Sequence, residues 1–206
     1  GAVEDVKITE DGVKLITIGG EEPAGICGSG ILAAVKELLR TGIVKKTGAF
    51  VKKEQLKEGD FRYPMIQVDG EGKRAFILCE EPRLLVTQGD VRQVQLAKGA
   101  ILSGFTALLN KAGIQMEDLD EVMIAGQFGA HLPAESMAGT GILPDEVKDK
   151  LVYVGNSSKT GAYMALMSKK ARSEMEALAA RMEYMELAET ENYERIFTNC
   201  MIFPKF

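Results

Sequence analysis

The sequence predicts an α/β fold with a mixed sheet flanked by helices, and three observations lead to this class. Short β-rich runs alternate with segments of helical periodicity along the 206 residues. Two turn signals, Asp11-Gly12 and the run 69–72, each join a pair of strand-like runs into a predicted hairpin. Farther along, two short apolar runs each lead through a glycine turn into a helix. Since no linker or repeat interrupts the pattern, we expect one domain over residues 1–206.

The first elements are a hairpin and a helix. Residues 3–8 and 13–18 are the strands of the first predicted hairpin. Residues 31–40 carry apolar side chains at helical spacing, and Gly42 stands where a helix ends in a left-handed residue. Residues 43–65 are mixed and polar, so we expect an irregular excursion there.

A second hairpin and a long helix follow. Residues 66–68 and 75–78 are predicted to pair across the second turn. A helix is predicted over residues 89–112, with Thr87 as its N-terminal cap and Gly113 at its end.

The last third of the chain is predicted to contain two buried strands, over residues 121–125 and 151–154. A short helix is expected near residues 133–138. A longer helix rich in Ala, Met and Glu is predicted from residue 155 to about residue 187. The run 193–198 reads as a final strand.

The two glycine turns that follow the short apolar runs are candidates for binding a nucleotide. A glycine turn after a strand lets backbone N–H groups approach a ligand, and the N-terminus of the next helix favours phosphate. A tight turn selected only for its geometry is an equally open alternative. The candidate residues are Gly126, Gln127, Phe128 and Gly129 in the first turn, and Gly155 and Asn156 in the second.

A third glycine segment, Gly28-Ser29-Gly30 with Ala33, loosely matches a dinucleotide-binding fingerprint. That fingerprint needs a strand directly before it, and Pro23 argues against one. We therefore favour a glycine-rich helix entrance near the phosphates of another nucleotide fold.

Gln95 and Lys98 lie three residues apart on the long predicted helix and so share a face. They are candidates for contact with an adenosine. The alternative is an amide and an amine that are simply solvated.

Composition narrows the function classes. The net charge is −5 and no basic stripe appears, so we expect no nucleic-acid partner. No apolar run reaches the ~20 residues that cross a bilayer, and no signal peptide is evident, so we expect a cytoplasmic protein with no membrane partner. The three cysteines are scattered and the chain has a single histidine, so we expect no metal or iron–sulfur cluster bound by this chain.

The first residue is not an initiator Met, and we therefore expect the chain to be a piece of a longer protein.

Several blocks of sequence together resemble the C-terminal domain of the reductive activators of corrinoid proteins. They occur in the family's order and span nearly the whole chain. The blocks are residues 25–32 (GICGSGIL), 87–101 (TQGDVRQVQLAKGAI), 124–129 (IAGQFG), 141–144 (GILP) and 154–158 (VGNSS), with Gly161 and Ala162.

The resemblance implies a ribonuclease-H-like, actin-type ATPase lobe from the superfamily of sugar kinases, heat-shock chaperones and actin. It implies the adenosine motif at residues 126–129, the second connecting helix from Gly155 onward, and adenosine contacts at Gln95 and Lys98. The family uses ATP with Mg²⁺ to help an electron from an iron–sulfur module return Co(II) corrinoid proteins to Co(I). Its phosphate loops and ferredoxin module would lie upstream of these residues, so we expect no catalytic residue and no ATPase cycle in this chain alone.

The partners implied are a corrinoid protein of a methyl-transfer system, the N-terminal lobe and ferredoxin module of the same protein, and a second copy of the chain. Two alternatives stay open. One is a non-catalytic interaction or dimerisation module, for which the Met-rich helix and the acidic charge would suffice. The other is a nicotinamide-dinucleotide-binding domain built on Gly28-Ser29-Gly30.

Overall fold

The computed structural model describes residues 1–126 and 129–206. Strands and helices alternate along the chain, as the sequence predicts. The elements are β1 (Ala2–Thr9), β2 (Gly12–Thr17), β3 (Gly25–Ile26), α1 (Gly28–Arg40), β4 (Ile66–Val68), β5 (Arg74–Cys79), β6 (Leu84–Thr87), α2 (Gln88–Ala112), β7 (Val122–Ala125), α3 (Ala134–Thr140), β8 (Leu151–Gly155), α4 (Ser157–Met167), α5 (Lys169–Ala179) and α6 (Tyr193–Cys200).

The strands form three small sheets in the described part of the chain. In the first, β1 pairs antiparallel with β2 and parallel with β3, which makes it a mixed sheet. In the second, β4, β5 and β6 are antiparallel neighbours. In the third, β7 and β8 pair in parallel. The α/β class and the mixed sheet are thus confirmed, although the strands do not join into one continuous sheet.

The packing of α1 on β1 depends on a very close approach of the two backbones. Ser29 and Gly30 are buried in the first turn of the helix. A Cβ atom added at Gly30 would lie 2.0 Å from the carbonyl oxygen of Val3. A Cβ atom cannot come that close to a carbonyl oxygen. Only glycine, which has no Cβ atom, therefore allows the two backbones to approach in this way.

A buried carboxylate ties the middle of α1 to the end of β1. Glu37 is only 4% exposed and accepts a hydrogen bond from the Ile8 backbone N–H at 2.9 Å. Arg40 donates to both oxygens of Glu37 and to the Ile8 carbonyl. Burial by itself raises the pKa of Glu37, but the hydrogen bonds from Arg40 and Ile8 outweigh it and hold the pKa below its ordinary value.

We expect acid to weaken the fold through Glu37. Because its folded pKa is lowered, its contribution is present above the ordinary pKa of 4.5 and is lost as the pH falls through the folded value. Glu37→Gln should lower the free energy of unfolding at neutral pH by about 1–3 kcal/mol, with a smaller loss at about pH 3. Urea unfolding at the two pH values measures this difference. An equal loss at both would show that the charge of Glu37 does not matter.

The second sheet turns one face to the core. Ile66, Phe76 and Val86 are directly paired across its three strands, and all are 0% exposed. The predicted hairpin of β4 and β5 is confirmed. Strand β6 was not predicted, because its four residues adjoin the helix cap and are too few to show alternation.

Helix α2 agrees with the sequence at both ends. The side chain of Thr87 accepts a hydrogen bond from the backbone N–H of Asp90, and the carboxylate of Asp90 accepts one from the backbone of Thr87. Gly113 ends the helix in the left-handed conformation, with φ of 66°.

The two strands of the third sheet exist, but the prediction that they are buried is wrong. Only Val122 of β7 is buried, and Met123 is 65% exposed. In β8, Val152, Tyr153 and Val154 are all more than a third exposed. The reason is that this sheet has two strands in the described part of the chain, so its faces and outer edge lack the cover that parallel sheets normally have.

The predicted long helix after Gly155 is two helices. Ser168 has an extended backbone, and its side chain caps α5 by accepting a hydrogen bond from the Ala171 N–H. The second helix ends at Ala179 rather than near residue 187.

The predicted final strand is helix α6, so this prediction is wrong. Tyr193, Ile196, Phe197 and Cys200 recur at helical spacing, and they place an apolar stripe against α2. The prediction failed because residues 193–198 include several residue types that favour strands, and these outweighed the helical spacing.

None of the helices in residues 1–126 and 129–206 is long and apolar enough to cross a membrane.

Candidate functional site

The two glycine turns that the sequence singled out lie side by side. Strands β7 and β8 run parallel, so their carboxyl ends meet at one edge of the sheet. The backbone N–H of Gly126 donates to the carbonyl of Gly155 at 2.8 Å. In α/β proteins, the space outside the carboxyl ends of parallel strands is where ligands bind.

Both glycines have a backbone that other residues avoid and open space in front of them. Gly126 has φ of 101° and Gly155 has φ of 63°. A Cβ atom added at either position would find no other atom within 4 Å. Backbone geometry therefore favours glycine here, and the vacant space leaves room for a ligand against the main chain.

The second turn opens directly into a helix N-terminus. The side chain of Asn156 caps α4 by accepting a hydrogen bond from the Lys159 N–H at 3.0 Å. The backbone N–H groups of Ser157 and Ser158 have no partner inside the helix and belong to exposed residues. Such a terminus attracts anionic groups, including phosphate.

An open cavity of about 580 Å³ runs along α4 from this terminus, a size that suits a small organic ligand. It combines a cationic side chain with apolar surface. Its lining is Asn156, Lys159, Thr160, Ala162, Tyr163 and Leu166.

The rest of the first turn is partly described. Gln127 and Phe128 lie outside the described residues, so their assignment to the site stays a prediction. Gly129 begins a short 3₁₀ turn, Gly129–His131. A Cβ atom at Gly129 would lie 2.6 Å from the Cγ2 atom of Ile124, so this glycine is needed for packing on β7.

Tyr153 attaches the segment after this turn to β8, because its hydroxyl donates to the Leu132 carbonyl at 2.6 Å. Burial and the nearby charge of Glu135 raise the pKa of Tyr153. The contact holds Leu132, which follows the first turn, against β8.

Gln95 and Lys98 occupy a different environment from the one expected. They are only 4% and 2% exposed, so the interpretation as solvated groups is wrong. The Gln95 amide donates to the carbonyls of Thr47 and Met201, and the Lys98 ammonium donates to the carbonyl of Cys200. Burial lowers the pKa of Lys98, partly opposed by Cys200. A nucleotide could reach either side chain only after the C-terminal residues had moved, so their contact with adenosine rests on the resemblance alone.

Gly28, Ser29 and Gly30 form the first turn of α1, where Ser29 and Gly30 are buried. A two-residue strand, β3, does precede this helix despite Pro23. The close approach of Gly30 to Val3 gives that glycine a packing role. A contact between this segment and a nucleotide stays a prediction without a described contact to support it.

The sequence did not mark Cys27 as a perturbed thiol, and the structure does. Cys27 is the residue before α1, and its sulfur lies 3.1 Å from the Ser29 hydroxyl oxygen. Burial alone raises the pKa of the thiol, but hydrogen bonds from Ser29 and from the Gly30 backbone lower it overall. Its position directly before Gly28-Ser29-Gly30, the predicted helix entrance, was the available signal.

Within the part of the chain that the structure describes, no group of three or more His, Cys, Asp or Glu side chains is arranged to hold a metal ion. The expectation that this chain binds no metal stays a prediction.

Adjoining glycine turns at the ends of parallel strands, next to a helix N-terminus, form the kind of edge at which proteins of the α/β class bind ligands. Comparison with known proteins gives the particular family. All of residues 1–206 match the family described as the C-terminal domain of RACo, the ASKHA domain. The chain therefore belongs to this family of ASKHA domains of corrinoid reductive activators.

Individual relatives agree with this assignment. The chain is 35% identical over 197 residues to the corrinoid activation enzyme RamQ of Eubacterium limosum, covering 91% of this chain and 32% of that protein. It is 26% identical over 180 residues to the [Co(II) methylated amine-specific corrinoid protein] reductase of Methanosarcina barkeri, covering 86% of this chain and 29% of that one.

A solved structure matches as well. The reductive activator for corrinoid, iron-sulfur protein has a TM-score of 0.84 and 33% identity, and the match covers 100% of this chain and 33% of that one. The chain spans about a third of the length of each of these relatives.

Proposed function

We propose that this chain is the nucleotide-binding lobe of an ATP-dependent reductive activator, which returns Co(II) corrinoid proteins of methyl transfer to Co(I). The observation that carries the proposal is the pair of glycine turns joined by the hydrogen bond from Gly126 to Gly155. The names of the relatives support the substrate class, since all three refer to a corrinoid and two of them to a corrinoid protein.

Residues at this edge fit a nucleotide. The open backbone at Gly126 and Gly155 would accept the adenosine, and the N-terminus of α4 beyond Asn156 would face its anionic side. ATP supplies the free energy of its hydrolysis when bound. The residues of this chain bind and orient it, and its Mg²⁺ and terminal phosphates would be held by loops of the N-terminal lobe.

ATP is needed because Co(I) is a strong reductant that biological donors reach with difficulty. Each 30 mV per electron corresponds to about 0.7 kcal/mol, so a modest free-energy input alters the equilibrium. A fold with two lobes around a hinge can couple nucleotide binding to such a change. In this proposal the electron carrier is an iron–sulfur cluster on a separate module.

The surface around the third sheet would receive the N-terminal lobe. Helices α4 and α5 contain no buried residue, and α4 exposes large apolar side chains. Tyr163 is 66% exposed, Leu166 74% and Met167 68%. Apolar surface of this kind normally packs against another part of a protein. Because the relatives are about three times longer, their remaining residues are sufficient to cover it.

The same surface favours the second candidate, an interaction module that pairs with a second copy of the chain and binds no nucleotide. Binding of nucleotide separates the two candidates. A cytoplasmic location belongs to the main proposal, since the three cysteines lack the spacing of a disulfide framework.

The experiment uses the full-length protein and the 206-residue chain side by side. Full-length protein, reductant and a Co(II) corrinoid protein should give the absorption spectrum of Co(I) only when Mg-ATP is present. The chain alone should hydrolyse ATP no faster than background, because its phosphate loops lie outside it. Co(I) formation without ATP, or turnover by the chain that Gly155→Val abolishes, would contradict the division of roles between the lobes.

A further inference from the structure

A second cleft lies on the outer face of the sheet formed by β4, β5 and β6. Its volume is about 900 Å³, within the range of small-molecule sites. Residues that pair directly across strands share a face, so Gln67, Ala75 and Thr87 form one row on the side opposite the core-facing Phe76. Leu85 extends the apolar part of this floor.

Three cations surround the cleft without a carboxylate partner in the described part of the chain. Arg74 makes no ion pair there, Arg83 donates to the neutral amide of Gln67, and Lys53 lies 4.7 Å from the centre of the Tyr63 ring.

The other charges that line the cleft are already engaged. Lys73 is paired with Glu71. The carboxylate of Asp69 accepts hydrogen bonds from the backbone N–H groups of Glu71 and Lys73. Asp69 keeps its negative charge, but with Lys53, Arg74 and Arg83 also lining the cleft, positive charge is in excess there. Such an excess is unusual for a chain with a net charge of −5, and it favours an acidic ligand.

We propose that this cleft binds an organic anion, a molecule that carries a carboxylate or phosphate on an apolar body. Arg74 and Arg83 supply the planar donors that recognise such groups, and Ala75 and Leu85 supply the apolar floor. None of the lining residues belongs to β7, β8 or α4. The cleft is therefore a site separate from the glycine turns, and the proposal stands or falls independently of the proposed function.

The test is a titration of the 206-residue chain with phenyl phosphate, followed by NMR. Shifts should be confined to the cleft, around Lys53, Arg74 and Leu85, and the neutral analogue phenol should cause much smaller ones. The double variant Arg74→Gln with Arg83→Gln should weaken binding about tenfold or more, since it removes two charge-assisted contacts.

Two control variants make the test specific. Arg74→Lys with Arg83→Lys keeps the charge and should retain part of the affinity, and Lys14→Gln, on an exposed position of β2, should change it less than about twofold. Equal binding of phenol, shifts only outside the cleft, or no binding at millimolar probe would overturn the proposal. Binding of a polyglutamate peptide without phenyl phosphate would also overturn it, because the cleft would then be a protein-docking surface.

Discussion

Gly30→Ala is expected to lower the free energy of unfolding by about 3 kcal/mol or more, enough to lower the melting temperature by roughly 6–12 °C. The added Cβ atom would lie 2.0 Å from the carbonyl oxygen of Val3, a backbone atom that cannot rotate away. Relief requires α1 to move off β1, and that interface includes the fully buried Ala33, Val35 and Leu38. Thermal and urea unfolding of the purified chain measure the loss.

The matched control is Gly161→Ala in α4. That glycine is also helical, but its added Cβ atom would lie 3.7 Å from the nearest atom, the Met175 methyl carbon, which is an ordinary contact. Alanine is favoured over glycine inside a helix, so this variant should be neutral or more stable by up to about 1 kcal/mol. Equal effects of the two substitutions would mean that close packing on β1 does not explain Gly30.

Gly155→Val is expected to weaken nucleotide binding by the full-length protein at least about tenfold. The valine side chain would occupy the open space next to Gly126, where the nucleotide is proposed to lie against the backbone. Calorimetric titration with ADP and with a non-hydrolysable ATP analogue measures the affinity. The substitution also strains the backbone by ~1–3 kcal/mol, because φ is 63° at this position.

Gly113→Val separates strain from ligand contact. Gly113 has nearly the same φ, 66°, and an equally open surrounding, but it lies at the end of α2 and outside the proposed site. The two variants should lose similar stability, while only Gly155→Val loses nucleotide affinity. Equal affinity in both would remove the glycine turn from the site.

Local signals in the sequence account for the elements that were predicted correctly. Helix α2 has a capping residue, Thr87, and a terminal glycine, Gly113. Both form their hydrogen bonds with residues only a few positions away in the chain. The glycine turns were likewise visible from residues adjacent in the chain. Their pairing through Gly126 and Gly155 was not, because the register of two strands depends on contacts between distant segments.

The failures share this dependence on distant contacts. The sequence of β8 is as apolar as that of a buried strand, but the described chain leaves Val152, Tyr153 and Val154 more than a third exposed. Gln95 and Lys98 have polar heads that sequence alone assigns to solvent or ligand, whereas the C-terminal carbonyls of Cys200 and Met201 bind them. A partner that lies a hundred residues away leaves no periodic signal.

The most direct test of the proposed nucleotide site is a structure of the full-length protein with a non-hydrolysable ATP analogue and Mg²⁺. We expect the adenosine to lie against the backbone of Gly126 and Gly155, with the N-terminus of α4 facing the nucleotide. We also expect Lys98 to keep its hydrogen bond to the Cys200 carbonyl. A nucleotide bound along α2 in contact with Lys98, with its adenosine away from Gly126 and Gly155, would contradict this assignment.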